Sequence, residues 1–208
     1  MSESHLRRIN VVLLWCIILV NLYTLVLPLI PRLDYWWRTR NTAATASSVK
    51  TYLEKTAAAS STAKTDEATE GNRLIIPRML MNTEIVEGSA AQPYANLKKG
   101  AWHLPFSTTP DQGGNTVIAG HRFTYTQPQS VFYSLDTLRV GDEIGIRWEG
   151  TMYTYTVVST KVVPPTTTSV QEVTADTRLT LYTCTPLWNP TQRLVVVAKP
   201  VQGGPPNE

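Results

Sequence analysis

The sequence predicts a mainly β domain, carried behind one N-terminal membrane-spanning helix and a stalk. Three observations carry that prediction. Residues 9–30 form an uncharged apolar run; all 11 glycines lie at Gly71 or beyond, and 12 of the 14 prolines follow Arg73; and from Arg73 onward short apolar runs alternate with clusters of Gly, Pro, Asn and Asp. The last pattern is the punctuation of strands and turns. Hydrophobic residues make up 42% of the 208 residues and charged residues 17%. One core of ordinary size can therefore be buried, which excludes both global disorder and a large multidomain enzyme.

Taken in order, residues 1–8 form a short polar start that includes Arg7 and Arg8. Residues 9–31 then supply the span. The run INVVLLWCIILVNLYTLVLPLI holds only Asn10, Asn21 and Thr24 as clearly polar side chains, and as a helix it reaches roughly 33 Å, enough for a hydrocarbon core of about 30 Å. A cleaved signal peptide is the alternative, since two arginines precede the run, but the run exceeds an ordinary h-region and no small-x-small site follows it. Pro28 and Pro31 with Tyr35, Trp36 and Trp37 resemble a helix end with an interfacial aromatic belt. Charge does not orient the span, because Arg7 and Arg8 face Arg32, Arg38 and Arg40 across it. Residues 32–72 are expected to be a stalk or linker. Positions 41–70, rich in Ala, Thr and Ser with a weak apolar face of Val49, Tyr52 and Leu53, suit a partly helical or flexible spacer holding the next domain off the bilayer.

Residues 73–200 are expected to form the globular domain and 201–208 a flexible tail. Strands are predicted near residues 74–81, 84–86, 102–104, 116–119, 143–148, 152–163, 178–183 and 193–198, with a tight turn at Glu149 and Gly150 and short helical turns near 93–99 and 129–138. The alternation in MYTYTVV, residues 152–158, is that of a strand with two different faces. About eight strands in so short a segment argue for a closed or nearly closed barrel or a sandwich.

The candidates for chemistry are few. Residues 73–208 carry 11 basic and 10 acidic side chains, which offers no handle for nucleic acid. The acidic residues Glu84, Glu87, Asp111, Asp142, Glu143, Glu172 and Asp176 are scattered without ligand spacing, so no metal is expected. Cys16 lies in the apolar run and Cys184 alone outside it, too few for a disulfide framework or a thiolate zinc site. A lone cysteine is commonly a small buried hydrophobe. Cys184, however, closes the strand LTLYTC and opens a Pro-rich loop, and His121 likewise follows a strand in NTVIAGHR, with Gly120 beside it for close backbone approach. Histidine is a base or charge partner for a thiol. His103, between Trp102 and Leu104, reads as structural, and Arg193 opens the last apolar strand.

These residues carry a resemblance. TLYTC at 180–184 resembles the TLxTC signature of sortases, membrane-anchored cysteine transpeptidases of mainly Gram-positive surfaces; IAGHR at 118–122 is similar to their histidine segment, and Gln192-Arg193-Leu194 to their arginine strand. RLIIP at 73–77, EGS at 87–89 and FYSLDTLRVGDEI at 132–144 support it. The resemblance implies an eight-stranded barrel, a cytoplasmic N-terminus with the catalytic domain outside the cell membrane, and catalysis by Cys184, His121 and Arg193. It implies cleavage of an LPxTG-like sorting signal after Thr through a thioacyl-enzyme, with transfer to an amine of a cell-wall precursor or a pilin lysine. Partners would be surface proteins or pilins bearing that signal; no cofactor is implied. Thr183 is a candidate for positioning substrate through its hydroxyl or backbone, with strand packing the equal alternative, and Trp188, in PLWNP, an apolar groove contact; residues 163–173 are a candidate second wall. No Asp-Pro-aromatic lid motif precedes the barrel segment, which argues against a lidded pilin polymerase.

Reference values constrain how such a pair starts. A free thiol near pKa 8.5 and a free imidazole near 6.5 favour the neutral pair by about 2.7 kcal/mol, leaving roughly one per cent as ion pair. The alternatives are a thiol hydrolase releasing surface proteins to water, and a catalytically silent membrane-tethered barrel acting as a binding module or scaffold.

Overall fold

The computed structural model describes residues 3–41, 51, 71–127 and 130–201. Helix α1 (Glu3–Val26) has no buried residue. A 3₁₀ turn at Leu27–Leu29 and helix α2 (Ile30–Asn41) continue it, and the helical stretch Glu3–Trp37 is long and apolar enough to cross a membrane. Pro28 and Pro31 are buried and Asp34 and Tyr35 half-buried, so positions 31, 34 and 35 of α2 present one face to the barrel. Tyr133 donates to the Pro28 carbonyl at 2.6 Å and Tyr35 to the Arg78 carbonyl at 2.9 Å. The start of the expected spacer is thus docked on the domain rather than standing clear of it. The rest of that segment, apart from Thr51, Gly71 and Asn72, lies outside the described residues.

The domain is an eight-stranded closed barrel: β1 (Arg73–Ile76), β2 (Met81–Val86), β3 (Ala101–His103), β4 (Asn115–Ala119), β5 (Glu143–Trp148), β6 (Thr151–Val163), β7 (Arg178–Thr185) and β8 (Gln192–Pro200), with the short helix α3 (Pro93–Lys99) between β2 and β3. Around the barrel the order is β1-β2-β3-β4-β7-β8-β6-β5, and β5 pairs β1 to close it. Closure leaves no open sheet edge. The pairs β2·β3 and β4·β7 are parallel and the others antiparallel.

One expected strand divides. Residues 74–81 read as continuous, but Pro77, which lacks an N–H, opens a 3₁₀ turn at Pro77–Met79 and Leu80 takes φ 51°. The chain reverses there, and Ile76 pairs with Met81. The expected turn at Glu149 and Gly150 has φ of 48° and 81°, the two positive values of a type I′ hairpin, with Trp148 paired to Thr151 across it.

Alternate side chains point inward. Leu74 and Ile76, Ile144 and Ile146, Leu179 and Leu181, and Leu194, Val196 and Ala198 meet Phe132 in one core cluster. A smaller cluster lies apart from it: Trp102, Leu104, Val117 and Ala119 with Val86, Leu97 and Tyr182 packed against them. Residues two apart on a strand share a face. Tyr182 and Cys184 therefore share one face of β7, opposite to that of Leu179 and Leu181.

Candidate active site

The register of adjacent strands brings the candidates together. In the parallel pair β4·β7, Ala119 is level with Tyr182; two residues further on, His121 follows β4 at the height of Cys184. In the antiparallel pair β7·β8, Cys184 faces Arg193 directly, and directly opposed residues project on the same side of a sheet. Cys184 and Arg193 thus sit opposite each other on β7 and β8, and His121 follows the end of β4, the strand on the other side of β7, with strands about 4.8 Å apart. The site lies on the outer face, where β7 runs three residues past the end of β4.

Cys184 is a free, partly exposed thiol. Arg193 is partly exposed and its Nη1 donates to its neighbour's carbonyl, Gln192, at 3.2 Å. Tyr182 reports the charges around the thiol. Burial raises its phenol above the ordinary value, the Arg193 charge and a hydrogen bond from Gln171 oppose that rise, and Cys184 adds to it.

Helix α3 shapes the surroundings of His121. Tyr94 meets the imidazole edge-on at 5.9 Å between centroids, and Lys98 Nζ lies 4.9 Å from the Tyr94 ring centre. Burial, and secondarily the positive charge of Lys98, pull the His121 imidazole below its ordinary pKa. Its Nε2 is buried without a hydrogen-bond partner among the described residues. His121 also lines a cavity of about 460 Å³ between the barrel and α2, together with Lys98, Gln127, Tyr35 and Asp34.

Backbone and side-chain bonds fasten the two strand ends on either side of the pair. The Gly120 N–H donates to the Tyr182 carbonyl at 3.2 Å, and Thr183 Oγ1 to the Gly120 carbonyl at 2.7 Å. Arg122 Nη1 donates to Thr185 Oγ1 at 2.7 Å. Gly120 has no room for a side chain, since a Cβ there would stand 2.6 Å from Phe132 and 2.7 Å from Val131. The Thr183 side chain is buried and its hydroxyl donates to the Gly120 carbonyl, which is the strand-packing alternative for that side chain.

The connection from β6 to β7 walls the same face. Asn115 donates to the carbonyls of Val170 at 3.2 Å and Glu172 at 2.9 Å and accepts from Thr180 Oγ1 at 2.7 Å. Gln171 Nε2 donates to the Tyr182 hydroxyl at 2.9 Å. Trp188 is exposed in the connection between β7 and β8. His103 stands apart from the pair: its Nε2 lies 3.1 Å from Ser107 Oγ and 3.2 Å from the Thr108 carbonyl, and its ring meets Trp148 edge-on. Among the described residues there is no group of three or more His, Cys, Asp or Glu side chains able to hold a metal ion.

A sortase-domain family model matches residues 74–201. The chain belongs to the sortase family. Over 132 residues this sortase is 33% identical to sortase D of Bacillus subtilis, a match spanning 62% of each chain. Over 126 residues it is 29% identical to sortase A of Listeria monocytogenes, covering 61% of this chain and 54% of that one. It thus spans less than two thirds of the length of both curated relatives. The crystal structure of Listeria monocytogenes sortase A superposes with a TM-score of 0.54 at 28% identity, over 63% of this chain and 86% of that one. The complex of Streptococcus agalactiae sortase C1 with MTSET superposes with 0.56 at 27% identity, over 77% of this chain and 92% of that one.

Sequence reasoning missed Asn115, Tyr94 and Lys98. Each acts on the site across a distance in the chain, and only the offset of Tyr94 and Lys98, four residues apart on a short helix, carried a signal.

Proposed function

We propose that this sortase is a membrane-anchored cysteine transpeptidase. Its Cys184 thiolate attacks the carbonyl of the threonine in an LPxTG-like sorting signal, the Thr–Gly bond breaks, and a thioacyl-enzyme forms. His121 gives a proton to the departing glycine amine and later takes one from the incoming amine. That amine, from a cell-wall precursor or a pilin lysine, attacks the thioester and displaces the thiol. Arg193 donates to the substrate backbone and to the oxyanion that develops at each addition, a task suited to its planar fork. Trp188 lends an apolar contact to the bound signal. The N-terminus lies in the cytoplasm and the barrel outside the cell.

The observation that carries this reading is the pairing of Cys184 with Arg193 across β7 and β8 and the placing of His121 just past the end of β4 on the other side of β7, which flanks a nucleophile by a proton carrier and an anion-binding fork. Burial and the charge of Lys98 favour the neutral imidazole at His121.

The experiment incubates the full chain in detergent with a panel of sorting-signal peptides, with and without amine acceptors, and follows covalent adducts by mass spectrometry. A thioacyl adduct on Cys184, lost in Cys184→Ala and resolved by amine into a new amide, is expected. An adduct on another residue overturns the assignment. Release of acid alone, unchanged by amine, points to a hydrolase, and a folded chain that forms no adduct points to a scaffold.

A further inference from the structure

We infer that Arg122 is a positioning residue that sets the separation of His121 and Cys184 through Thr185; the inference rests on the assignment of those two residues as the reacting pair. The residues next to the pair are joined to one another on both sides. Before it, Gly120 is tied to Tyr182 and Thr183; after it, Arg122 is tied to Thr185. The first clamp extends the backbone pairing of β4 with β7. The second is made by side chains alone, beyond the last backbone pair of those strands, Ala119 with Tyr182. Among the described residues no other hydrogen bond joins the two strand ends past the reacting side chains.

The guanidinium is itself held. Its side chain is only 12% exposed, and Nη2 donates to Asp136 Oδ2 at 2.5 Å. Asp136 belongs to the 3₁₀ turn Leu135–Thr137, and Phe132, three residues before that turn and fully buried, donates its N–H to the His121 carbonyl at 3.0 Å. The segment that fixes the His121 backbone therefore also anchors the arginine that reaches to Thr185. One planar fork with donors on separate nitrogens spans both partners; a single ammonium does not. Lys98 is the charge that lowers the His121 imidazole, whereas the contacts of Arg122 are to Thr185 and Asp136. Its effect is geometric, and a separation error of about 1 Å at a reacting pair costs on the order of a hundredfold in rate.

The test uses the full chain in detergent with Cys16→Ser. Arg122→Met is expected to lower kcat for peptide transfer at least tenfold while KM stays within twofold and the pH profile keeps its position. Thr185→Val is expected to do the same more weakly, and the double variant to be little worse than Arg122→Met. Arg122→Lys should fall between. A folded Arg122→Met with kcat within twofold of the parent, losses that multiply in the double variant, or a displaced pH profile each overturn the inference. Should Arg122→Met fail to melt cooperatively, Thr185→Val decides by the same criteria.

A second readout needs no turnover. In a chain carrying His121→Cys, the rate of disulfide formation between positions 121 and 184 in glutathione buffer reads the same separation, and adding Arg122→Met should slow it at least tenfold. An unchanged rate overturns the positioning role even if transfer proves absent. Absence of a thioacyl adduct in the parent chain, with this rate still dependent on Arg122, overturns the transpeptidase reading alone.

Discussion

Replacing Asn115 by alanine tests how the wall of the site is held. Asn115 is 2% exposed, and its carboxamide uses both donors and its oxygen: to Val170 at 3.2 Å, to Glu172 at 2.9 Å and from Thr180 at 2.7 Å. The partners are the β6–β7 connection on one side and β7 on the other. A net hydrogen bond contributes about 1 kcal/mol, and a buried partner left alone costs as much or more, so the loss should be about 3 kcal/mol. Thr180→Val removes only one of these bonds and should cost about 1 to 2 kcal/mol. For a domain of this size, 3 kcal/mol lowers the melting temperature by roughly 10 °C. The assay is thermal unfolding of the full chain in detergent, paired with amide hydrogen exchange across residues 164–177. Faster exchange there and a raised KM for the sorting peptide with kcat nearly unchanged should accompany the stability loss. A cost below about 1 kcal/mol, or a Thr180→Val cost equal to that of Asn115→Ala, would refute the argument that the carboxamide pins this connection to the sheet.

Two further outcomes concern the histidines. Burial, partly opposed by the Thr108 carbonyl and Glu87, keeps His103 below its ordinary pKa, so the unfolded chain takes up its proton at a higher pH than the folded one. Stability is then full above the ordinary imidazole value near 6.5 and is lost as pH falls from there toward the lowered folded value. His103→Gln should flatten this acid slope in unfolding measured between about pH 7 and 5, and an unchanged slope would count against it. At His121, Lys98→Gln should move the imidazole titration upward in an NMR experiment yet leave it below the ordinary value, because burial is the larger cause and Lys98 the smaller. A titration that stays put, or one that rises past the ordinary value, contradicts that ranking.

Much of the barrel was legible because its determinants are local. Alternation marks β6, the Glu149-Gly150 turn announces the β5–β6 hairpin, and the proline at position 93 opens α3 where a helical turn was expected. The first strand was misread because an apolar run hides a reversal when its only breaker is Pro77. At the site, Cys184, His121 and Arg193 stood out by residue type at strand ends, whereas residue type alone left the role of the Thr183 side chain open between substrate positioning and strand packing. Parity favours packing for that side chain: Cys184 shares a face with Tyr182, so Thr183 points the other way. The docking of α2 carried only a faint signal in the spacing of Pro31, Asp34 and Tyr35, and nothing in the sequence names Pro28 as the acceptor for Tyr133.

The chain spacings of the three proposed catalytic residues are set by the topology that joins them. Cys184 lies 63 residues after His121 because β4 and β7 are parallel, and parallel neighbours need a crossover; here it holds the whole β5–β6 hairpin. Arg193 lies only nine residues after Cys184 because β7 and β8 are antiparallel neighbours joined by residues 186–191. A short connection makes the register sensitive to its length. A slip of one residue in β8 would turn Arg193 to the opposite face. A slip of two would keep the face but carry the guanidinium roughly 7 Å along the strand, out of reach of an oxyanion formed at Cys184. Pro186 and Pro190, with φ fixed by their rings, bracket that connection, and the last pair before it is Thr185 with Gln192. Thr185 is also the residue that Arg122 grips. The position that starts the register of the arginine strand is therefore also the one that Arg122 grips, so one residue meets β8 through its backbone and the end of β4 through its hydroxyl.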